Sequence, residues 1–291
     1  MLYFLVFLLF LAIAFIFFYS WYRLHKEINS HIPSNKNMPY DFGLKYYDFS
    51  TDTKDGIKIK GWYIPVDSPK AFVILIHGRV NTSGGKSLML SHAKYLHDNN
   101  FSTLLFDCRG VGESDGNKTF LGCREWMDAL SIFNYAKNLE EGKNKKIGFF
   151  GLSMGASIAL ITCGKEKIGD FVIASVPYKN FLSLFDMQVK GEKLFPRFIF
   201  VGALLIASFF ELGPTYFIYT ANMWIKKIVA PIFIISAKND TLVNPKDAWD
   251  LIKKASKPSE IWEADSTHNI HGEMKEKFED KVVNFLNRYA L

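Results

Sequence analysis

A serine flanked by two glycines lies near the middle of the chain, in Gly151-Leu152-Ser153-Met154-Gly155. This G-x-S-x-G pattern follows an apolar run and precedes a segment rich in small residues, which predicts a sharp turn between a strand and a helix. Glycine at both flanks avoids a collision between a side chain and neighbouring backbone. The turn would present the Ser153 hydroxyl as a nucleophile above the end of the strand.

A base must activate such a serine, because its hydroxyl is a weak nucleophile at neutral pH. Among the seven histidines, His268 lies in the loop between the last predicted strand and the last predicted helix. In a doubly wound sheet this loop returns to the edge where Ser153 would lie. We therefore predict that His268 is the base, with His271 as the alternative. His77 ends a strand and is expected to shape the loop that follows it.

A carboxylate is needed to orient the base and to stabilise its imidazolium form. Asp240 directly follows a buried apolar run. The chain order Ser153, Asp240, His268 is also the order that accompanies the G-x-S-x-G turn in this type of sheet. Asp265 and Glu263 are closer to His268 in sequence, but they lie on the strand or at its exit, where a surface role suits them better. Asp240 is the predicted carboxylate.

Two backbone N–H groups are expected to hold the negative oxygen that forms during acyl transfer. One is the N–H of Met154, directly after the nucleophile. The other should come from the loop His77-Gly78-Arg79-Val80-Asn81, and we predict the N–H of Arg79. The backbone of Arg79 can donate even where its side chain only faces solvent.

Eight strand-like segments alternate with helical patterns and would position these residues. The strands are predicted near 44–50, 57–64, 71–76, 102–106, 146–150, 171–175, 231–236 and 259–263. Continuous apolar runs such as 71–76 suit strands buried on both faces of a parallel sheet. The helical patterns lie at about 84–98, 123–139, 154–164, 245–255 and 273–289. The alternation predicts a largely parallel α/β sheet within a domain spanning residues 44–291.

An insert at residues 177–228 interrupts this alternation with apolar helical material. Its residues 198–210 are uncharged and would span about 20 Å as a helix, which is too short for a bilayer core of about 30 Å. We expect a helix that packs on the core. The alternatives are a lid that lines an acyl pocket or dips into a membrane interface, and a second membrane span.

The chain resembles the α/β-hydrolase superfamily of serine hydrolases over about residues 44–290. Residues 107–114, Asp-Cys-Arg-Gly-Val-Gly-Glu-Ser, look like the D-x-R-G-x-G-x-S loop after that family's fourth strand. The resemblance implies an eight-stranded, mostly parallel sheet flanked by helices, with a small helical cap at the insert. It also implies a structural role for Asp107 and Arg109. The usual opening of the family's next helix is matched by Gly122, Glu125 and Asp128.

Within the superfamily the chain is most similar to single-pass bacterial hydrolases and to the Bem46-like, S9-peptidase-like branch. These share the short loop that begins His77-Gly78 and a histidine site of the type Thr267-His268-Asn269. The sequence has no H-G-G-G run, which argues against a GGGX-type carboxylesterase or a hormone-sensitive lipase. A serine at the turn argues against dehalogenase-type chemistry, which requires an aspartate at that position.

The first 22 residues are predicted to anchor the chain in a membrane. Residues 2–19 carry no charge, and residues 2–22 would reach about 31 Å as a helix. A cleaved signal peptide is the alternative, and Ala12-Ile13-Ala14 fits its small-residue rule, but the expected basic n-region is absent. Residues 23–43 are predicted to be a linker. Its cations, Arg23, Lys26 and Lys36, place the catalytic domain in the cytoplasm by the positive-inside rule.

The composition excludes several further classes of protein and site. A chain with 49% hydrophobic and 22% charged residues is neither disordered nor low in complexity. Its three cysteines are too few for a disulfide scaffold and lack the paired spacing of a zinc site. The net charge of +6 comes without a nucleic-acid motif, so we expect a solvated basic surface that is attracted to anionic headgroups.

These residues together predict covalent acyl transfer by a membrane-anchored serine hydrolase. We expect an ester or thioester with an acyl or lipid-like chain as substrate, and no metal or cofactor. The alternatives are a membrane-tethered serine peptidase or amidase, favoured by the S9-like resemblance, and a non-catalytic binding protein on the same fold.

Overall fold

A single sheet runs through the α/β domain of the computed structural model, which describes residues 1–29, 31–33, 37–80, 84–193, 196–256 and 259–290. The predicted linker residues 30 and 34–36, including Lys36, lie outside the described residues, as does Asn81. Over the described ranges the sheet has eight strands: β1 (Tyr47–Asp52), β2 (Lys58–Ile64), β3 (Phe72–Ile76), β4 (Ser102–Phe106), β5 (Ile147–Leu152), β6 (Val172–Ser175), β7 (Ile232–Ala237) and β8 (Ser259–Ala264).

The strand order is β1-β2-β4-β3-β5-β6-β7-β8. β2 pairs antiparallel with both β1 and β4, and all other neighbours are parallel. The predicted mostly parallel, eight-stranded sheet of the α/β-hydrolase fold is thereby confirmed. Strands β3 to β7 consist of buried residues throughout, because helices cover both faces of a parallel sheet.

Helices on the two faces bury two separate hydrophobic cores. Neighbouring residues of β5 point to opposite faces: Phe149 belongs to one core, with α3 and α4, and Phe150 to the other, with α2 and α10. The helices are α1 (Leu2–Ile28), α2 (Leu90–Asp98), α3 (Trp126–Asn138), α4 (Met154–Glu166), α5 (Phe181–Gln188), α6 (Arg197–Leu212), α7 (Ala221–Trp224), α8 (Pro245–Ile252), α9 (Ile270–Glu273) and α10 (Lys275–Tyr289).

Helix α1 is longer than the predicted anchor. Residues 23–28 were assigned to the linker but are helical, because Leu24 and Ile28 are buried in the same core as α3 and α4 and packing extends the helix. An 18-residue window of α1 has a mean hydropathy of 2.8 and none of it is buried. By length and composition α1 can cross a membrane, although a signal sequence meets the same criterion.

The insert between β6 and β7 forms a small helical cap of α5, α6 and α7. Helix α6 packs along α1, with the ring of Phe200 stacked 5.8 Å from that of Tyr19 and the ring of Phe210 6.1 Å from that of Phe17. Ile32, in the predicted linker, is also attached to the domain, since it forms a bridge with Val111. The cap and the C-terminal end of α1 therefore share one side of the domain.

Candidate active site

The turn that carries Ser153 is strained. Ser153 has φ 52° and ψ −113°, in the left-handed region that L-residues rarely adopt, at the junction of β5 and α4. A Cβ at position 151 would lie 2.1 Å from the carbonyl oxygen of Gly155, and a Cβ at position 155 would lie 2.2 Å from that of Ile76. Both glycines are thus required by backbone contacts. This is the strand-to-helix turn that the G-x-S-x-G pattern predicts.

The predicted base and carboxylate are in direct contact. Nδ1 of His268 lies 2.6 Å from Oδ2 of Asp240, and the carboxylate is almost fully buried. The other carboxylate oxygen, Oδ1, accepts hydrogen bonds from the N–H groups of Leu242 and Val243 at 2.8 and 2.9 Å. These bonds fix Asp240 at the end of β7. The carboxylate in turn selects the imidazole tautomer that carries its proton on Nδ1.

The loop that carries His268 is held by a residue that the sequence analysis did not identify. Glu273, at the end of α9, accepts hydrogen bonds from the Ser266 hydroxyl at 2.6 Å and from the Thr267 N–H at 3.0 Å. These bonds lower the pKa of the Glu273 carboxyl to about 2. The sequence offered one signal for Glu273, a carboxylate five residues after the predicted base. Spacing alone could not show that its side chain turns back to the loop of His268.

The alternative base, His271, lines the same cavity but packs against aromatic rings. Its ring centroid is 5.2 Å from that of His92 and 6.3 Å from that of Phe278. Burial lowers the pKa of His271, and the nearby His268 lowers it further. Asp240 contacts His268 and so favours His268 as the base.

The two carboxylates that most closely precede His268 in sequence face solvent. Asp265 accepts a hydrogen bond from Nδ2 of Asn239 at 3.0 Å, and Glu263 accepts one from Nε1 of Trp249 at 2.8 Å. Both side chains are exposed. Their surface positions agree with the roles expected from the sequence.

The loop after β3 runs against the Ser153 turn. A Cβ at Gly78 would lie 3.2 Å from the carbonyl oxygen of Leu152 and 3.4 Å from Cβ of Ser153. His77 is buried: its Nδ1 lies 2.6 Å from the carbonyl oxygen of Gly78, and its Nε2 accepts the N–H of Cys108 at 3.1 Å. Burial lowers the pKa of His77, and the neutral ring can donate and accept in this way. His77 therefore shapes the loop that carries Arg79.

A cavity of about 550 Å³ joins these elements. Ser153, Met154, Arg79 and His268 all line it. Most of its wall is apolar, from Leu88, Leu121, Leu152, Leu184, Met187 and Val243. Two charged residues of α1, Arg23 and Glu27, also line it, and sequence reasoning missed both. No local motif marks them, since they approach the cavity only through the packing of α1 on the domain.

The motif at residues 107–114 has a structural role. The Asp107 carboxylate accepts hydrogen bonds from the backbone N–H of Lys86 at 2.7 Å and from its ammonium at 2.6 Å. A Cβ at Gly112 would lie 2.1 Å from Oδ2 of Asp107, which explains the glycine. Arg109 donates to Asp128, with both side chains buried. A second cavity, of about 510 Å³, lies beside Lys86 and shares no lining residue with the cavity of Ser153.

Part of this site lies within a segment that matches a known protein family. The model of the serine aminopeptidase S33 family matches residues 67–179. That range contains the loop of Arg79 and the turn of Ser153. The uncharacterized protein Rv2307c of Mycobacterium tuberculosis is 30% identical over 213 residues, which cover 72% of this chain and 68% of the relative. The uncharacterized protein YqkD of Bacillus subtilis is 28% identical over 243 residues, which cover 80% of this chain and 76% of the relative.

Solved structures share the fold. The esterase Pf2001 of Pyrococcus furiosus has a TM-score of 0.76 and 24% identity, and the match covers 91% of this chain and 99% of the esterase. The acylaminoacyl peptidase of Pyrococcus horikoshii has a TM-score of 0.66 and 15% identity, with 85% of this chain and 42% of the peptidase covered. At these identities the similarity concerns the fold and leaves the substrate open.

Proposed function

Because the chain belongs to the α/β-hydrolase superfamily and is a hydrolase of that fold, we propose that it is a serine hydrolase with Ser153, His268 and Asp240 as its catalytic triad. The observation that carries the proposal is the 2.6 Å contact between His268 Nδ1 and Asp240 Oδ2, in a cavity that Ser153 also lines. A proton held on Nδ1 leaves Nε2 as the acceptor that a base requires.

The proposed reaction has two steps. His268 takes the proton of the Ser153 hydroxyl as its oxygen attacks the substrate carbonyl carbon, and the N–H groups of Met154 and Arg79 hold the resulting oxyanion. His268 then protonates the leaving group, which departs and leaves an acyl-enzyme. Water attacks the acyl-enzyme, again with His268 as the base, and releases the acid and free Ser153.

The proposed substrate is an ester or thioester with an acyl chain. Support comes from the cavity, whose lining includes several leucine and methionine side chains and which is large enough to hold a small amphiphile. An extended acyl chain gains about 0.8 kcal/mol per buried CH₂ in such surroundings. The cap would then set the length of the acyl chain that the cavity accepts, because Leu184 and Met187 of cap helix α5 form part of the cavity wall.

The proposed location is a membrane, with α1 as a single-pass anchor and the catalytic domain on the cytoplasmic side. Support comes from the apolar surface of α1 and from Arg23 and Lys26 near its inner end. Helix α6 adds to it, because it packs along α1 while Phe198 and Phe210 are 78% and 68% exposed. We propose that this face of the cap lies in the membrane interface.

One observation favours the second candidate, a membrane-tethered peptidase or amidase. The family model that matches residues 67–179 is that of a serine aminopeptidase, and an aminopeptidase must bind the ammonium group of its substrate. Glu27 is an acidic residue in the cavity that could do so. It is already paired with Arg79, which favours the ester hydrolase.

The test is labelling of the detergent-solubilised full-length protein with a fluorophosphonate probe, which reacts with activated serines. Wild type is compared with Ser153→Ala, His268→Ala and, as a matched control, His97→Ala on the surface of α2. We expect wild type and the control to be labelled and the other two variants to remain unlabelled. No labelling of folded wild type would exclude the proposal in favour of a non-catalytic binding protein.

Substrate classes are then separated with p-nitrophenyl esters of increasing acyl length and with aminoacyl-anilides. Ester hydrolysis that strengthens with acyl length supports the acyl hydrolase. Faster turnover of aminoacyl-anilides supports the peptidase.

A further inference from the structure

The inner end of the predicted membrane anchor is part of the catalytic cavity. Arg23 and Glu27 on α1 line the same space as Ser153 and His268. This part of α1 is fixed to the domain, since Leu24 is 1% exposed and Ile28 is fully buried. Helix α1 thus does more than connect the domain to a bilayer.

The closest link between α1 and the site is an ion pair between Glu27 and Arg79. Nη2 of Arg79 contacts Oε1 of Glu27, and the two side chains are 22% and 32% exposed. Arg79 follows Gly78, whose backbone lies against the Ser153 turn. The guanidinium is therefore tied to α1 while the peptide of the same residue lies at the proposed oxyanion hole.

Such a tie restricts the direction of the Arg79 N–H. On one side, His77 holds the start of the loop through its contacts with Gly78 and Cys108. The ion pair with Glu27 restrains the loop one residue beyond Gly78. Donors to an oxyanion act through preorganisation, and removing one costs about 10²–10³-fold in kcat. If the donor is retained but held less firmly, we expect kcat to fall by a smaller factor.

We propose that Glu27 is a positioning residue, through which the anchor helix holds the oxyanion loop in its active conformation. The inference rests on the proposed function, because a non-catalytic protein would need no oxyanion hole. It makes α1 a component of the active site, so that the packing of α1 on the domain and the rate of acyl transfer are linked.

The test measures kcat and KM of the full-length protein on a short, water-soluble p-nitrophenyl ester, together with the rate of fluorophosphonate labelling. Glu27→Gln removes the charge and nearly preserves the shape. We expect kcat and the labelling rate to fall about 10-fold to 100-fold, with little change in KM. The matched control is Glu192→Gln, which breaks the ion pair with Arg23, another charged residue of α1, and should leave kcat within about 2-fold.

Rescue separates positioning from a general loss of structure. The double variant Glu27→Arg with Arg79→Glu restores an ion pair of reversed polarity and should recover most of the kcat that each single variant loses. Thermal unfolding of every variant shows whether it is folded. A Glu27→Gln variant with wild-type kcat, or a charge-reversed pair that does not recover it, would overturn the inference.

Two further outcomes keep this inference distinct from the proposed function. If neither wild type nor any of the variants is labelled, the proposed serine hydrolase itself is rejected. A Glu27→Gln variant that raises KM only for aminoacyl-anilides and leaves kcat on esters unchanged would overturn the positioning role, because Glu27 would then bind the substrate ammonium.

Discussion

Glu211, at the end of α6, lies 2.8 Å from Nδ1 of His25 on α1, through its Oε1 atom. Its other oxygen, Oε2, accepts hydrogen bonds from Asn29 at 3.0 Å and from the ammonium of Lys118 at 2.8 Å. A single carboxylate thus joins α1, the cap and the loop before α3. The cap cannot move away from α1 without breaking this cluster.

Replacing Glu211 should loosen α1 from the domain. Burial raises the pKa of Glu211, but the hydrogen bonds from Lys118, His25 and Asn29 outweigh it and lower the pKa to about 2. The ionised carboxylate therefore stabilises the fold above about pH 4.5, and this contribution is lost as the pH falls towards 2. At pH 7, Glu211→Gln should speed hydrogen exchange at residues 20–28, whereas Glu192→Gln, a more exposed partner of α1, should not. Equal exchange in both variants would contradict this role.

Asp240→Asn should nearly abolish activity without unfolding the protein. The amide preserves the shape but no longer selects the imidazole tautomer with its proton on Nδ1, and this change costs about 10³–10⁴-fold in kcat in comparable triads. Asp265→Asn is the matched control, because Asp265 is closer to His268 in sequence than Asp240 is, yet it is exposed and bonded to Asn239. Ester hydrolysis by both variants is measured at pH 7. An equal loss in both would remove Asp240 from the triad.

The sheet and the residues proposed as the triad could be identified from the sequence because their signals are local. Every predicted strand has a counterpart, and β4 begins and ends at the predicted residues, because an apolar run bounded by polar turns specifies a buried strand. Ser153 was marked by its flanking glycines, because the turn leaves no room for a Cβ at those positions. Asp240 and His268 were marked by their positions after β7 and β8.

Residues that depend on packing between distant segments could not be predicted. Glu27 meets Arg79, and His25 meets Glu211, only because α1 packs on the domain and along α6. The same packing extends α1 to Ile28, beyond the predicted end at residue 22. Neither charge pattern nor hydropathy reports which face of a helix reaches a site far away in sequence.

Gly155→Ala should destabilise the fold strongly, and Gly202→Ala should not. A Cβ at position 155 would lie 2.2 Å from the carbonyl oxygen of Ile76 and 2.6 Å from that of His77, so the backbone must move, at a cost of about 1–3 kcal/mol. Gly202 lies inside α6 with nothing within 4 Å of its Cβ position, so alanine there should stabilise the helix by about 0.5–1 kcal/mol. Denaturant midpoints measure both. Similar midpoints would show that the turn tolerates a side chain.

The exposed aromatic residues of α6 should matter only for substrates in a bilayer. Phe198 and Phe209 are 78% and 47% exposed. If this face lies in the interface, Phe198→Ser with Phe209→Ser should lower the hydrolysis of a long-chain ester embedded in vesicles several-fold. The same variant should hydrolyse a soluble short ester at the wild-type rate. Leu182→Ser, an exposed apolar position on α5, serves as the control, and equal losses on both substrates would argue against an interfacial cap.

His92 should make the fold sensitive to acid. It is buried between Phe150, Phe278 and His271, and burial, together with His271, lowers its pKa to about 3 from an ordinary value of 6.5. Because the unfolded chain takes up a proton below about pH 6.5 and the folded one does not, stability is full above that pH. It then falls by up to about 1.4 kcal/mol per pH unit between 6.5 and 3. His92→Leu removes this proton uptake and should flatten the decline between pH 6.5 and 4, measured by denaturant unfolding, while His97→Leu on the same helix should keep it. A decline that is unchanged in His92→Leu would assign the acid sensitivity to other groups.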